Sequence, residues 1–245
     1  MSVAKRKGHD LLTGLGGFSW EKVIAVVGAL GSGKSEWLLN LANAFLDREE
    51  TVTVADVDII NPYFCIREVS SLLKKMGLSV ILPFKGTQWS DLPSISPEVD
   101  RAFDAPGRLL IDIGGDPRGA MALTQFAPRM EQAGYNLLAI VNAYRPQTST
   151  VEGIEAMIRS IERVSGLKVS AVISNSHMMS ETTLDDVLQG YETALAAAEK
   201  MGLPILFVGV PESAMKEAER RFEGRKVNLW PVSRYILLPW ERGGM

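Results

Sequence analysis

The chain has 245 residues, 46% of them hydrophobic and 22% charged, and a net charge of −3. That balance suits one globular domain with a sizeable core and excludes a strong positive field for nucleic acid. No apolar run reaches the ~18 residues of a membrane span. The basic residues Lys5-Arg6-Lys7 lead into no apolar stretch of secretory type, and the single cysteine, Cys65, excludes an intrachain disulfide or a Cys-rich metal site. The expectation is a cytoplasmic protein.

In chain order, Val23 to Val27 is a short apolar run read as a buried strand, ending at Gly28. Lys34 to Leu46 places Trp37, Leu38, Leu41 and Phe45 at helical spacing, and Thr51 to Val57 is a β-branched second strand. Ile66 to Met76 reads as a helix closed by Gly77, with a strand near Leu78 to Leu82. Residues 83–107, with prolines among scattered polar residues, read mostly as loop. Strands follow at Leu109 to Asp112, Asn136 to Val141, Lys168 to Ile173 and Ile205 to Val210. Helices are expected at Val151 to Val164, Leu184 to Met201 and about Ser213 to Phe222. This alternation predicts an α/β fold: a doubly wound, mostly parallel sheet with helices on both faces and a ligand at the carboxyl ends of the strands. One domain is expected over 1–245, with its core at about 22–213 and a tail over 214–245.

Gly28-Ala29-Leu30-Gly31-Ser32-Gly33-Lys34-Ser35 matches G-x-x-x-x-G-K-[ST] in full, after a strand and at the start of a helix. Glycines let the backbone wrap a polyphosphate so that successive N–H groups point at it, and the helix N-terminus adds its positive dipole. Lys34 is expected on the β and γ oxygens and Ser35 on magnesium. Gly14-Leu15-Gly16-Gly17, by contrast, completes no dinucleotide motif and reads as a turn.

Asp112 ends an apolar strand and precedes Ile113-Gly114-Gly115, the pattern that delivers a carboxylate to a magnesium water beside a phosphate loop. Asp56 and Asp58 stand two apart at the end of the second strand. One is expected to orient water and the other to support the magnesium shell, both projecting to one side if the strand runs that far.

These residues resemble the SIMIBI class of P-loop NTPases, and within it the MinD/ParA group, with the nitrogenase iron protein and the arsenite and tail-anchor targeting ATPases as cousins. The resemblance spans about 22–213. It rests on the phosphate loop, Asp56-Val57-Asp58 with Asn61, Asp112 and its glycines, Ile173-Ser174-Asn175, and Gly209-Val210-Pro211. It implies that Asp58 positions the hydrolytic water, that Asn175 contacts adenine and that Pro211 packs near the base. Ala29 departs from the group, whose loop carries a lysine there that reaches across a dimer. Activation by a lysine in trans is therefore not implied. Ser174-Asn175-Ser176-His177 also lacks the lysine and aspartate of a guanine-reading N/T-K-x-D sequence, so adenine is preferred.

The implied function is a regulatory or assembly ATPase using ATP and Mg2+. An unidentified protein partner reads its state, and a homodimer is among the assemblies such a protein forms. Two alternatives stay open: a small-molecule kinase or ligase of dethiobiotin-synthetase type, with 83–107 as its substrate loop, and a nucleotide sensor that hardly hydrolyses. Arg67 and Arg118 read as surface ion-pairing residues, with a finger-like role on the γ-phosphate as the alternative. Cys65 reads as a structural thiol, His177 as a loop histidine, and Tyr235 to Trp240 as a segment packed on the body or at a dimer contact.

Overall fold

The computed structural model describes residues 11–13, 15–58, 66–83, 96–115 and 117–236, with the backbone alone for Pro117, Arg118 and Ala120. Asn61, Cys65, Lys5-Arg6-Lys7 and most of 83–95 lie outside the described residues.

Eight strands form one all-parallel sheet: β1 (Val23–Val27), β2 (Val52–Asp56), β3 (Ser79–Ile81), β4 (Arg108–Asp112), β5 (Tyr135–Val141), β6 (Ala171–Ser174), β7 (Ile205–Pro211) and β8 (Leu229–Val232). Their order is β3-β2-β4-β1-β5-β6-β7-β8. The doubly wound α/β architecture expected from the alternation of elements is what the chain adopts. The connecting helices are α1 (Lys34–Leu46), α2 (Ser70–Lys75), α3 (Glu98–Ala102), α4 (Pro117–Ala133), α5 (Val151–Ser165), α6 (Leu184–Met201) and α7 (Met215–Arg221).

The strand residues divide between two cores with a period of two. Val23, Ala25 and Val27 of β1 face a cluster with α4, α5 and α6, where Leu123, Phe126, Ile154, Ile158 and Ala194 are buried. Ile24 and Val26 face the other side, where Trp37, Leu38, Leu41 and Phe45 of α1 meet Phe207 and Trp230. Both faces being covered, the strands read as continuous apolar runs rather than alternating ones. Among the described residues, no helix is long and apolar enough to cross a membrane.

Three differences from the sequence reading matter. Within 214–245, the helix expected at about Ser213 to Phe222 is α7, and β8, a strand the sequence pattern does not announce, adds one more strand to the sheet. Pro231 within β8 is tolerated because β8 lies at the sheet edge. Residues 117–133 form a helix that the sequence pattern does not announce, and 98–102 form a short helix inside the expected loop. Strand β2 ends at Asp56, so alternation does not carry to Asp58. The Asp56 carboxylate instead accepts the Asp58 N–H at 3.1 Å and turns the chain.

Candidate nucleotide site

Strand β1 is central, flanked by β4 and β5, and its carboxyl end delivers the loop 28–33 into the middle of the sheet's edge. Gly33 caps α1 in a left-handed conformation, φ +88°, and a Cβ there would stand 2.4 Å from Asn175 Nδ2. Asn175 occupies that space and donates Nδ2 to the Ser32 carbonyl at 2.8 Å. The strand-end asparagine thus ties β6 to the phosphate loop. Its Oδ1 abuts Gly209 of β7, where a Cβ would lie 2.6 Å away. Pro211 ends β7 two residues further on.

Lys34 is buried and bends back over the loop, donating Nζ to the Ala29 carbonyl at 3.2 Å. Gly115 is the residue that leaves it room, since a Cβ there would come within 2.5 Å of Nζ. Ser35 donates its hydroxyl to Asp112 Oδ2 at 2.5 Å. The other Asp112 oxygen, Oδ1, is buried with no hydrogen-bond partner, as is the Ser32 hydroxyl within the loop. Buried polar atoms are rarely left so, and these two belong to the glycine loop after β1 and to the end of the adjacent β4. A serine hydroxyl, a carboxylate oxygen and a glycine cradle are hard oxygen and N–H donors suited to Mg2+ and phosphate. Among the described residues, no group of three or more His, Cys, Asp or Glu side chains converges as a metal cage. The donor set fits a magnesium ion held mainly by phosphate and water.

Asp56 and Asp112 are register partners on adjacent strands. Burial pushes the Asp112 carboxyl up to about 7, with Asp56 adding to the rise and the Ser35 hydroxyl and Lys34 opposing it. Burial also raises Asp56, against the pull of Arg67. Arg67 binds Asp56 Oδ2 through Nε at 3.0 Å, reaches Oδ1 at 3.4 Å, and donates to the Asp58 carbonyl. Both oxygens of Asp56 are therefore engaged by Arg67 and the Asp58 amide. The Arg67 pair is half-buried, not the surface pair expected. Asp58 itself is buried against the loop after β4, its Oδ1 2.9 Å from the position of a Cβ on Gly114.

Four contributions had no motif to announce them. Asn142, fully buried after β5, donates to the His177 carbonyl at 3.0 Å and accepts from the Tyr144 N–H at 2.9 Å. His177 is packed beside Gly33, where a Cβ would meet its Nε2 at 3.4 Å. Burial, then the charges of Arg145 and Arg234, push its imidazole down to about 4. Glu36, in the first turn of α1, accepts the N–H groups of Tyr235 and Ile236 at 2.9 and 2.8 Å, fastening these two residues to the body; 237–240 lie outside the described residues. Asn40 adds bonds to both polar groups of the Ser233 backbone.

No protein-family model and no curated protein matches the chain. Among solved structures it is similar to the cell division protein FtsY of Thermotoga maritima, at TM-score 0.52 and 21% identity, covering 76% of this chain and 60% of that one. It is similar also to the signal recognition particle 54 kDa protein of Aeropyrum pernix in complex with GDP (TM-score 0.51, 16% identity, 81% and 45% covered). A third match is FlhF complexed with GTP and Mg2+ (TM-score 0.50, 18% identity, 76% and 64% covered). These neighbours belong to the SIMIBI class of P-loop NTPases. The chain has their fold. It spans about 60% of the length of the FtsY it matches. The P-loop NTPase fold accounts for the phosphate loop at the end of β1 and for Asp112 on the neighbouring strand. The three structures named are FtsY, FlhF and signal recognition particle proteins, whereas the motifs resemble the MinD/ParA group.

Proposed function

We propose that the protein binds a magnesium–nucleoside triphosphate, ATP in preference to GTP, and hydrolyses it to ADP and phosphate as a regulatory or assembly ATPase whose state a protein partner reads. The observation that carries this reading is the bond from Ser35 to Asp112 at the mouth of a glycine loop, with Asp112 Oδ1 and Ser32 Oγ buried and unpartnered beside it.

In this reading Ser35 is a direct ligand of Mg2+, and Asp112 holds one of its waters. The ion, when bound, neutralises charge on the phosphate oxygens. Lys34 exchanges its bond to the Ala29 carbonyl for the γ-phosphate and stabilises charge on the transferred group. Asp58 orients a water for attack on the γ-phosphorus; the bond to the β–γ bridging oxygen breaks and the water's proton leaves to solvent or phosphate. Such hydrolysis asks the protein for positioning and charge more than for covalent chemistry. The segments after Asp58 and after Asp112 are then the parts that respond to the γ-phosphate. Arg67 bonds Asp56 of β2 and the Asp58 carbonyl, where the first of them begins, which supports that role.

Adenine is favoured by residues 174–177, which offer no carboxylate to guanine's amino edge, and by a neutral, half-buried His177 beside the loop. FlhF, by contrast, is seen with GTP. Ala29 leaves no lysine to cross to a second copy, so a homodimer would need other contacts.

Calorimetry with ATP and GTP, with and without Mg2+, tests binding, and phosphate release tests turnover. Magnesium-dependent ATP binding is expected, with release abolished and binding retained in Asp58→Asn. Absence of heat with either nucleotide, together with an unchanged Lys34→Ala, would overturn the reading.

A further inference from the structure

Arg145 stands in the loop after β5, the strand next to β1, so this loop runs beside the phosphate loop at the carboxyl edge of the sheet. Its backbone is fixed on both sides. The Arg145 N–H bonds the Asn142 carbonyl at 3.1 Å, the Arg145 carbonyl accepts the Thr148 N–H at 2.9 Å, and the Thr148 hydroxyl bonds Asn142 O at 2.7 Å. The preceding Tyr144 is anchored through its hydroxyl to Asp186 at 2.7 Å.

From this base the side chain reaches the phosphate loop. Nε donates to the Gly31 carbonyl at 2.9 Å, and the guanidinium stands close against Gly31, where a Cβ would be 3.0, 3.1 and 3.5 Å from Nε, Cζ and Nη2. Gly31 sits at φ +74°, so glycine serves both the turn and the close approach of Arg145. One of the five guanidinium N–H donors is used in that bond. No described carboxylate lies within ion-pairing distance, although Arg67, Arg108, Arg129, Arg159, Arg221 and Arg225 all have such partners. A second cation, Lys34, is folded over the same loop. With the helix N-terminus, the two cations give the glycine loop a positive field that favours an anion.

We propose that Arg145 is a phosphate ligand supplied by the chain itself. Its unused guanidinium N–H groups pair with the outer phosphates of a nucleoside di- or triphosphate held on the loop 28–35. It thereby places on the same chain a positive charge that position 29, an alanine, does not provide. This rests on the proposed nucleotide site and deepens it. A guanidinium presents a planar fork to phosphate oxygens, and such charge-assisted bonds are about twice as strong as neutral ones.

The experiment is calorimetric titration with the mono-, di- and triphosphates of adenosine, and the guanosine series alongside, in Mg2+. The full chain, Arg145→Gln, Arg145→Lys and Lys34→Ala are compared, with thermal unfolding of each variant without nucleotide. In Arg145→Gln the triphosphate is expected to bind about 10- to 100-fold more weakly. The monophosphate should change by no more than about twofold, and Arg145→Lys should fall between. Equal weakening across the mono-, di- and triphosphate would make Arg145 a prop for Gly31 and overturn the proposal. So would unchanged triphosphate binding in Arg145→Gln while Lys34→Ala loses it, a result that leaves the nucleotide site standing. Loss of the site itself would instead show as no binding by the unsubstituted chain.

Discussion

Asp56 and Asp112 face each other in register on adjacent parallel strands, yet Asp56 is met by the Arg67 guanidinium at 3.0 Å and Asp112 by the neutral hydroxyl of Ser35. In parallel strands, register partners project to the same face, so the two carboxylates share one buried environment. One is balanced within the fold. The other has only the Ser35 hydroxyl and the field of Lys34 against its burial, and its carboxyl stays raised, which is a stability cost.

Asp112→Asn is therefore expected to stabilise the nucleotide-free protein. The Asp112 carboxyl rises from the ordinary 3.8 to about 7 on folding. A raised group stabilises the fold below its unfolded value, and that contribution is lost as pH rises through the folded value. The gain from asparagine should thus grow from about pH 4 and level off above about pH 7, reaching roughly 4 kcal/mol. Thermal unfolding of both proteins at pH 5 and pH 8, without nucleotide, measures it. Added Mg–ATP should reverse the order, stabilising the unsubstituted protein more.

Arg67→Met leaves Asp56 as a charge buried without its partner, because the Asp56 side chain has no solvent exposure. Breaking a buried pair on one side costs about 3 kcal/mol or more, though the partly exposed Arg67 brings this nearer 2. Asp56→Asn in the same chain should recover at least half of that loss. Urea unfolding of both single variants and the double variant gives the coupling. Additive losses would mean that the pair holds nothing.

The elements that sequence reading located best are those whose cause is local. The run Val23–Val27, the helix Lys34–Leu46 and the helix Leu184–Met201 have the bounds expected of them. Each is marked by apolar periodicity and by a glycine at Gly28, Gly33 or Gly202. Helix α4 was hidden by Pro117, Gly119 and Pro128, although Leu123, Phe126 and Met130 carry helical spacing on its buried face. β8 was hidden by brevity and by Pro231. In the site, Lys34, Ser35, Asp112 and Asn175 were legible because one motif or one strand end announces each. Arg145 and Asn142 act only through neighbouring strands brought together by the fold, and single-sequence periodicity holds no trace of that pairing.

Two glycine substitutions separate folding from binding. In Gly33→Ala the new Cβ meets Asn175 Nδ2 at 2.4 Å at a backbone φ of +88°, so the Asn175–Ser32 bond and the turn are both strained. A stability loss of about 1–3 kcal/mol and loss of nucleotide binding are expected together. In Gly115→Ala the Cβ first meets Lys34 Nζ, the far end of a flexible side chain, and next the Leu30 backbone nitrogen at 2.9 Å. The lysine can swing away, so affinity for Mg–ATP should fall by about tenfold with a melting shift smaller than that of Gly33→Ala. Calorimetry paired with thermal unfolding checks both, and equal melting losses would place Gly115 among the structural glycines.

His177 supplies the acid limb of the stability profile. Burial, with Arg145 and Arg234 facing it, lowers its imidazole from 6.5 to about 4. A group depressed on folding contributes stability that is present above its unfolded value and is lost as pH falls through the folded one. Between about pH 6.5 and pH 4 the unfolded chain binds a proton that the folded chain refuses, so stability declines with acid by up to about 3 kcal/mol. Asp112 titrates in the opposite sense over much of that window, so the comparison must be made between variants at one pH. His177→Asn keeps a polar side chain beside Gly33 without the proton. Its deficit or gain relative to the unsubstituted protein at pH 7 should shift in its favour by that amount at pH 4, as read from urea midpoints. A difference that stays constant from pH 7 to pH 4 would mean that the imidazole is free to protonate in the folded chain, and that the packing of His177 against the phosphate loop does not exclude water.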